Sequence, residues 1–163
     1  MAELSDELRA FLTERRYAVL ATYDDDGGIH LTPIWFLFDD DQFWFESFSG
    51  SRKVANLQRN PSAAVVVDAR EPGRERWVSA SGTVEILSGD EAQEINARIR
   101  QRYLTSEALA DERIEPVFAL ADDVTLRLTP SAWRSWDSRG LDEQFFGGIL
   151  GVEPQRWFLP VER

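Results

Sequence analysis

The chain has 163 residues, 43% of them hydrophobic, a formal net charge of −11, one histidine and no cysteine. This length suits one domain with a substantial core. The lack of cysteine excludes a disulfide framework, a thiolate metal site and a cysteine nucleophile, and one histidine offers neither a His-rich metal site nor a good basis for a Ser-His-Asp triad. The acidic balance argues against a nucleic-acid binder, which needs a basic face. No run approaches the roughly 18 apolar residues of a membrane span, and the opening MAELSDELRAFL has no apolar signal core. A cytoplasmic protein with no nucleic-acid, membrane or metal partner is therefore expected.

In chain order, Ser5 predicts the cap of a first helix, with Asp6 and Glu7 in its first turn and Leu8, Phe11 and Leu12 on its apolar face. Tyr17 to Tyr23 reads as a buried strand and Asp26-Gly27-Gly28 as a hairpin turn. Ile29 to Phe38 (IHLTPIWFLF) reads as a long strand with Ile29, Leu31, Trp35 and Leu37 on one face. Pro33 within it lacks a ladder donor and so implies an edge, a bulge or a break. Phe43 to Phe48 returns as a third strand, Arg52 to Arg59 forms a short helix stopped by Pro61, and Ala63 to Val67 is a buried strand. Trp77 to Leu87 alternates, with Val78, Ala80, Gly82, Val84 and Ile86 sharing a face. Ser88 and Glu91 have capping-box spacing for a helix that buries Ala92, Ile95 and Ile99. A loop and a short helix near Pro116 fill Thr105 to Ala121, and Val124 to Leu128 is the last strand expected. Residues 131–163 then form an aromatic tail, holding Trp133, Trp136 and Trp157, that packs on the barrel or a dimer partner. The acidic triplets Asp24-Asp25-Asp26 and Asp39-Asp40-Asp41 read as solvated turns. Hairpin-joined antiparallel strands with inserted helices, and no βαβ alternation, predict a mainly β fold, a small barrel with covering helices, over a single domain 1–163.

The stretch SGSRKVANL holds the chain's one lysine, Lys53, beside Arg52 at the start of a helix. The positive end of a helix dipole disfavours cations by roughly 0.3–1 kcal/mol each. The arrangement makes sense if an anion docks there, on free backbone N–H groups and both cations, with Ser47, Ser49 and Ser51 adding hydroxyl donors. A fork-shaped guanidinium and a point-charge ammonium suit a phosphate monoester or diester. A solvated basic pair balancing nearby acids is the competing reading.

The order of a proline-interrupted strand, a hairpin and S-R-K-x-x-N-L-x-x-N-P resembles the pyridoxamine-phosphate-oxidase-like family, the flavin-binding split barrels. The resemblance spans roughly residues 5 to 140. It implies a split β-barrel in which Ser51, Arg52 and Lys53 hold the cofactor phosphate. It further implies that Thr32, Pro33, Ile34 and Trp35 lie against the ring system, and that Ser47 stands at the end of the next strand. Leu128-Thr129-Pro130 followed by Arg134-Ser135-Trp136-Asp137 looks like the segment that brings a tryptophan to the cofactor from the other subunit, which implies a homodimer.

Two departures separate the chain from the oxidase proper. Trp35 stands where that enzyme has a substrate-phosphate lysine, and no Arg-x-His follows Trp136, since His30 is the only histidine. The pattern is closer to the deazaflavin branch, whose members use coenzyme F420, another phosphodiester. The expectation is an F420-dependent reductase of a small organic acceptor. The alternatives are an FMN-dependent oxidase or reductase on the same scaffold and a non-catalytic carrier of the cofactor. No side chain is assigned a catalytic role, because the cofactor carries the reaction. Trp77 either lines the cofactor cleft or packs in the core or dimer. Trp136 either stacks at the ring or packs at an interface. His30 has a structural or acid–base role, and Asp137 is a possible hydrogen-bond acceptor for the cofactor.

Overall fold

The computed structural model describes residues 4–120 and 122–160; the ends of the expected domain and Ala121 lie outside them. Seven antiparallel strands form one sheet: β1 (Ala18–Tyr23), β2 (Ile29–Ile34), β3 (Leu37–Asp39), β4 (Gln42–Phe48), β5 (Ser62–Ala69), β6 (Arg76–Leu87) and β7 (Asp123–Asp137). Their spatial order is β2-β1-β5-β6-β7-β4-β3. The two edge strands are consecutive in sequence, joined only by Trp35 and Phe36. Three Cα steps from Ile34 to Leu37 reach at most about 11 Å, so the sheet must curl until its edges nearly meet. The fold is a split barrel, as expected, and the split lies at Trp35–Phe36.

The break also decides which residues face inward. Ile34, Phe36 and Phe38 are buried, whereas Ile29 and Leu31 are exposed, so the expected facing of this segment is inverted. Every position from Ile29 to Phe38 except His30, Thr32 and Pro33 carries a large apolar side chain, so the pattern did not mark the inner face. His30 shares the inward parity, and its Nε2 lies 3.0 Å from Thr32 Oγ1. Pro33 sits on an edge strand, the place in a sheet that tolerates a residue without an N–H.

Inside the barrel the faces of β1 (Ala18, Leu20), β5 (Val65, Val67), β6 (Val78, Ala80, Val84) and β7 (Val124, Leu126, Leu128) meet an aromatic group of Phe36, Phe38, Phe43, Phe45 and Trp133. Helix α1 (Asp6–Thr13) plugs one side with Phe11 and Leu12; Ser5 caps it, accepting from Leu8 N at 3.3 Å. Strand β7 extends well past the expected Leu128. Between Ser81 and Gly82 of β6 the register with β7 shifts: Ser81 faces Ala132 and Gly82 faces Pro130, so Ser131 is the extra, bulged residue. The bulge accommodates Pro130 in the strand and turns Trp133 toward the core. Residues 131–137, assigned to the tail from sequence, are therefore part of the sheet.

Helix α2 (Arg52–Arg59) has the expected limits and buries Val54 and Leu57. Helix α3 (Asp90–Tyr103) lies on the outer face of β4 and β7, burying Ala92, Ile95 and Ile99 as expected. Its N-cap is Gly89 at φ 75°, with no side-chain cap bond, so the capping box expected from Ser88 and Glu91 does not form. Short helices α4 (Ser106–Leu109) and α5 (Glu115–Leu120) lead into β7, and α6 (Ser138–Phe146), α7 (Ile149–Val152) and α8 (Pro154–Trp157) follow it. Among the described residues no helix is long and apolar enough to cross a membrane.

Candidate active site

A cleft of about 340 Å³ opens where the sheet is split. Its apolar wall is the end of β2 and the break after it: Thr32, Pro33, Ile34 and Trp35. Opposite lie Ser47 and Phe48 from the end of β4 and Lys53 from the first turn of α2. Tyr17, Glu46, Phe118 and Asp123 complete it.

Tyr103, the last residue of α3, fixes the shape of the wall. Its ring stacks on Trp35 with centroids 5.0 Å apart and planes 3° from parallel. Its hydroxyl accepts from Phe36 N at 3.2 Å and lies within hydrogen-bond distance of the Phe36 and Arg16 carbonyls. The Phe36 amide freed by the strand break thus finds its partner in one side chain.

Two neighbouring cations have different surroundings. Arg52 makes a bidentate bond to Asp24, Nε to Oδ1 at 2.8 Å and Nη2 to Oδ2 at 2.7 Å. Asp24 also accepts from Asn56 Nδ2 at 2.8 Å. The Asn56 and Arg52 bonds hold the Asp24 carboxyl below the usual carboxylate range. Asp24 is thus a structural ion-pair member, unlike the solvated turn acid expected from sequence. Lys53 makes no ion pair among the described residues and is half-buried against the cleft, and that burial pulls its ammonium below the ordinary lysine range. Ser51 caps α2, its Oγ accepting from Val54 N at 3.4 Å, and lies 2.9 Å from Ser47 Oγ. A half-buried cation, two hydroxyls, a helix N-terminus and a flat apolar wall fit an anionic ligand with a planar apolar body.

Of the residues singled out from sequence, Thr32, Pro33, Ile34, Trp35, Ser47 and Lys53 line the cleft, with Ser51 directly behind Ser47. Arg52 is engaged with Asp24 and does not line it. Trp77 and Trp136 face each other across β6 and β7 and do not line the cleft of their own chain. Asp137 caps α6, accepting from Arg139 N at 2.9 Å.

Sequence reasoning missed Glu46, Asp123 and Arg100. Arg100 Nε donates to Glu46 Oε1 at 2.7 Å, and Nη2 donates to the same oxygen and to Asp123 Oδ2, the latter at 2.5 Å. Burial raises the Glu46 carboxyl above its ordinary range; the Arg100 bond opposes the shift and the Asp123 charge adds to it. One signal was available: Glu46 is the single acid in the apolar alternation QFWFESF, and a carboxylate there requires a partner.

Residues 4–137 match the pyridoxamine 5'-phosphate oxidase family. An F420H(2)-dependent biliverdin reductase of Mycobacterium tuberculosis is 31% identical over 73% of this chain and 90% of its own length. Among solved structures, a conserved hypothetical protein of M. tuberculosis is 30% identical, with a TM-score of 0.70 over 86% of this chain and 88% of that one. A protein described as an F420 reductase is 26% identical, with a TM-score of 0.61 over 77% and 94%. With its seven-stranded split barrel and the cleft at the split, the chain belongs to the pyridoxamine 5'-phosphate oxidase family.

Proposed function

We propose that the chain is an F420-dependent oxidoreductase acting on a small organic acceptor in the cytoplasm, as a homodimer. At family level the support is for a flavin- or deazaflavin-type oxidoreductase. The choice of F420 rests on the biliverdin reductase and F420 reductase relatives and on Trp35 standing where an oxidase substrate-phosphate lysine would be. The observation that carries the reading is Lys53, a half-buried cation with no ion pair among the described residues, set at a helix start beside a flat apolar wall.

When bound, the reduced cofactor supplies the hydride. Lys53, the first N–H groups of α2 and the Ser47 and Ser51 hydroxyls would hold its phosphate. Pro33, Ile34 and Trp35, the last held by Tyr103, would lie against its ring system. Phe48 and Phe118 add apolar surface to the cleft lining. A second copy supports the open side: Ile29 and Leu31 on β2, and Phe145, Val152 and Leu159 after β7, are exposed on one chain. In this arrangement Trp136 of one copy reaches the cleft of the other.

Fluorescence titration of purified apo-protein with F420 and with FMN tests the assignment. F420 binding at least about tenfold tighter is expected, a difference of about 1.4 kcal/mol. Equal or reversed affinities refute it in favour of an FMN enzyme on the same scaffold.

A further inference from the structure

Glu46 lies on the cleft wall but has no part in anchoring a phosphate or covering a ring. It and Asp123 share a single guanidinium, and the three side chains are 15%, 2% and 9% exposed for Glu46, Asp123 and Arg100. Arg100 takes one oxygen from each carboxyl. Asp123 Oδ1 is buried without a hydrogen-bond partner, and Glu46 Oε2 has none among the described residues. One cation against two carboxylates leaves a negative charge over, in a place where an uncompensated charge is expensive. A proton on Glu46 removes that charge. Both carboxyls bond the same Arg100 nitrogen, Nη2, so the same proton also relieves the repulsion between them.

The charged groups that act on Glu46 are Arg100 from α3 and Asp123 from the start of β7; Lys53 from α2 and Tyr17 ahead of β1 line the same cleft without bonding to it. Phe118 of α5 covers Arg100, whose guanidinium carbon is 4.1 Å from the ring centroid. This ring shields the trio from solvent on one side while the cleft opens on the other.

We propose that Glu46 is the proton donor of the cleft, a protonated carboxyl held by Arg100 and Asp123 that protonates the acceptor as it is reduced. The inference rests on the reductase reading above. For an activated C=C bond, hydride from the reduced deazaflavin or flavin brings one hydrogen and two electrons to one carbon. The O–H bond of Glu46 breaks as a C–H bond forms at the other carbon. Glu46 is left as a carboxylate and regains its proton from solvent through the cleft mouth. The acceptor gains two hydrogens, and the cofactor is oxidised by two electrons.

The first test needs no cofactor. In apo-protein labelled at glutamate carboxyl carbons, NMR titration with Glu46→Gln for assignment should show Glu46 titrating above the other glutamates. Titration among the others overturns the inference whatever the activity. Asp123→Asn removes the neighbouring charge and should lower the Glu46 midpoint; no change overturns the pairing.

The second test uses protein with reduced F420 and 2-cyclohexenone. Glu46→Gln should bind F420 like wild type, reduce the enone about 10²–10⁴-fold more slowly and lose the alkaline fall of the wild-type pH profile. Glu46→Asp should recover part of the rate. A wild-type rate and profile in Glu46→Gln overturns the proposal. If wild type reduces no enone with either F420 or FMN while Glu46 titrates high, the reductase reading fails and the delivery step fails with it.

Discussion

Replacing Lys53 by alanine should move cofactor affinity and apo-protein stability in opposite directions. Lys53 is the second residue of α2, whose first turn contains no acid, and it has no ion pair among the described residues. Without a ligand, its charge meets the positive helix end and partial burial. Removing it relieves up to roughly 0.3–1 kcal/mol, offset in part by lost packing of its methylene stem. In a domain of this size 1 kcal/mol corresponds to about 2–4 °C in Tm, so the apo-variant should melt at the wild-type temperature or up to a few degrees higher. Binding should weaken by a charge-assisted hydrogen bond, roughly 1.5–3 kcal/mol, or about 10- to 150-fold in Kd. Fluorescence titration and thermal melts of the apo-protein measure the two effects. The adjacent Arg52→Ala should behave oppositely. Asp24 loses its bidentate cation, so the apo-protein is destabilised while affinity changes less than in the lysine variant. The same burial gives a pH signature. Since the folded-state Lys53 value is lowered, the apo-protein gains stability as pH rises through that value toward the ordinary lysine range. Anion binding, which needs the charged form, weakens over the same window. Normal cofactor affinity in Lys53→Ala, or a clearly less stable apo-form, refutes the anion-site reasoning.

Gly82→Ala places a Cβ 2.1 Å from Thr129 O and 2.9 Å from Pro130 Cα. Because both neighbours are backbone, the cost should exceed the roughly 1–3 kcal/mol of ordinary overpacking; urea unfolding with wild-type stability would contradict the bulged register. Light scattering at micromolar concentration should give a dimer, and Trp136→Ala should weaken cofactor binding while circular dichroism stays unchanged. A monomer with full cofactor affinity would rule out a shared cleft.

The parts of the fold that could be read from sequence are those governed by neighbouring residues. The alternation of β6, the cap of α1, the limits of α2 and the S-R-K run all depend on spacings shorter than a dozen residues. The rest depends on distant partners. Thr129-Pro130-Ser131 reads as a stop, yet the chain continues because Gly82, far back in sequence, leaves room for the bulge. Arg52 looks free until the turn before β2 brings Asp24 to it. Glu46 finds its arginine 54 residues away, only after α3 has been laid across β4 and β7. Gly89 replaces Ser88 as the cap because its positive φ redirects the chain into α3. The cleft's apolar wall was legible because a family motif crosses it; its acidic floor lies outside that motif.

The pairing order has a consequence for synthesis. Strand β4 has only β3 and β7 as neighbours, and β7 is the last strand to leave the ribosome. A nascent chain stopped before Asp123 contains β1, β2, β5 and β6 in an open ribbon and β3–β4 as a separate hairpin, with Phe43 and Phe45 lacking the strand that buries them. The emerging protein therefore carries Phe43 and Phe45, two of the largest side chains that the fold buries completely, uncovered until β7 is made, the condition that draws chaperones and invites aggregation. Ser47 and Asp123 meet the rest of the cleft only when β7 docks, so ligand loading follows translation and cannot guide the early chain.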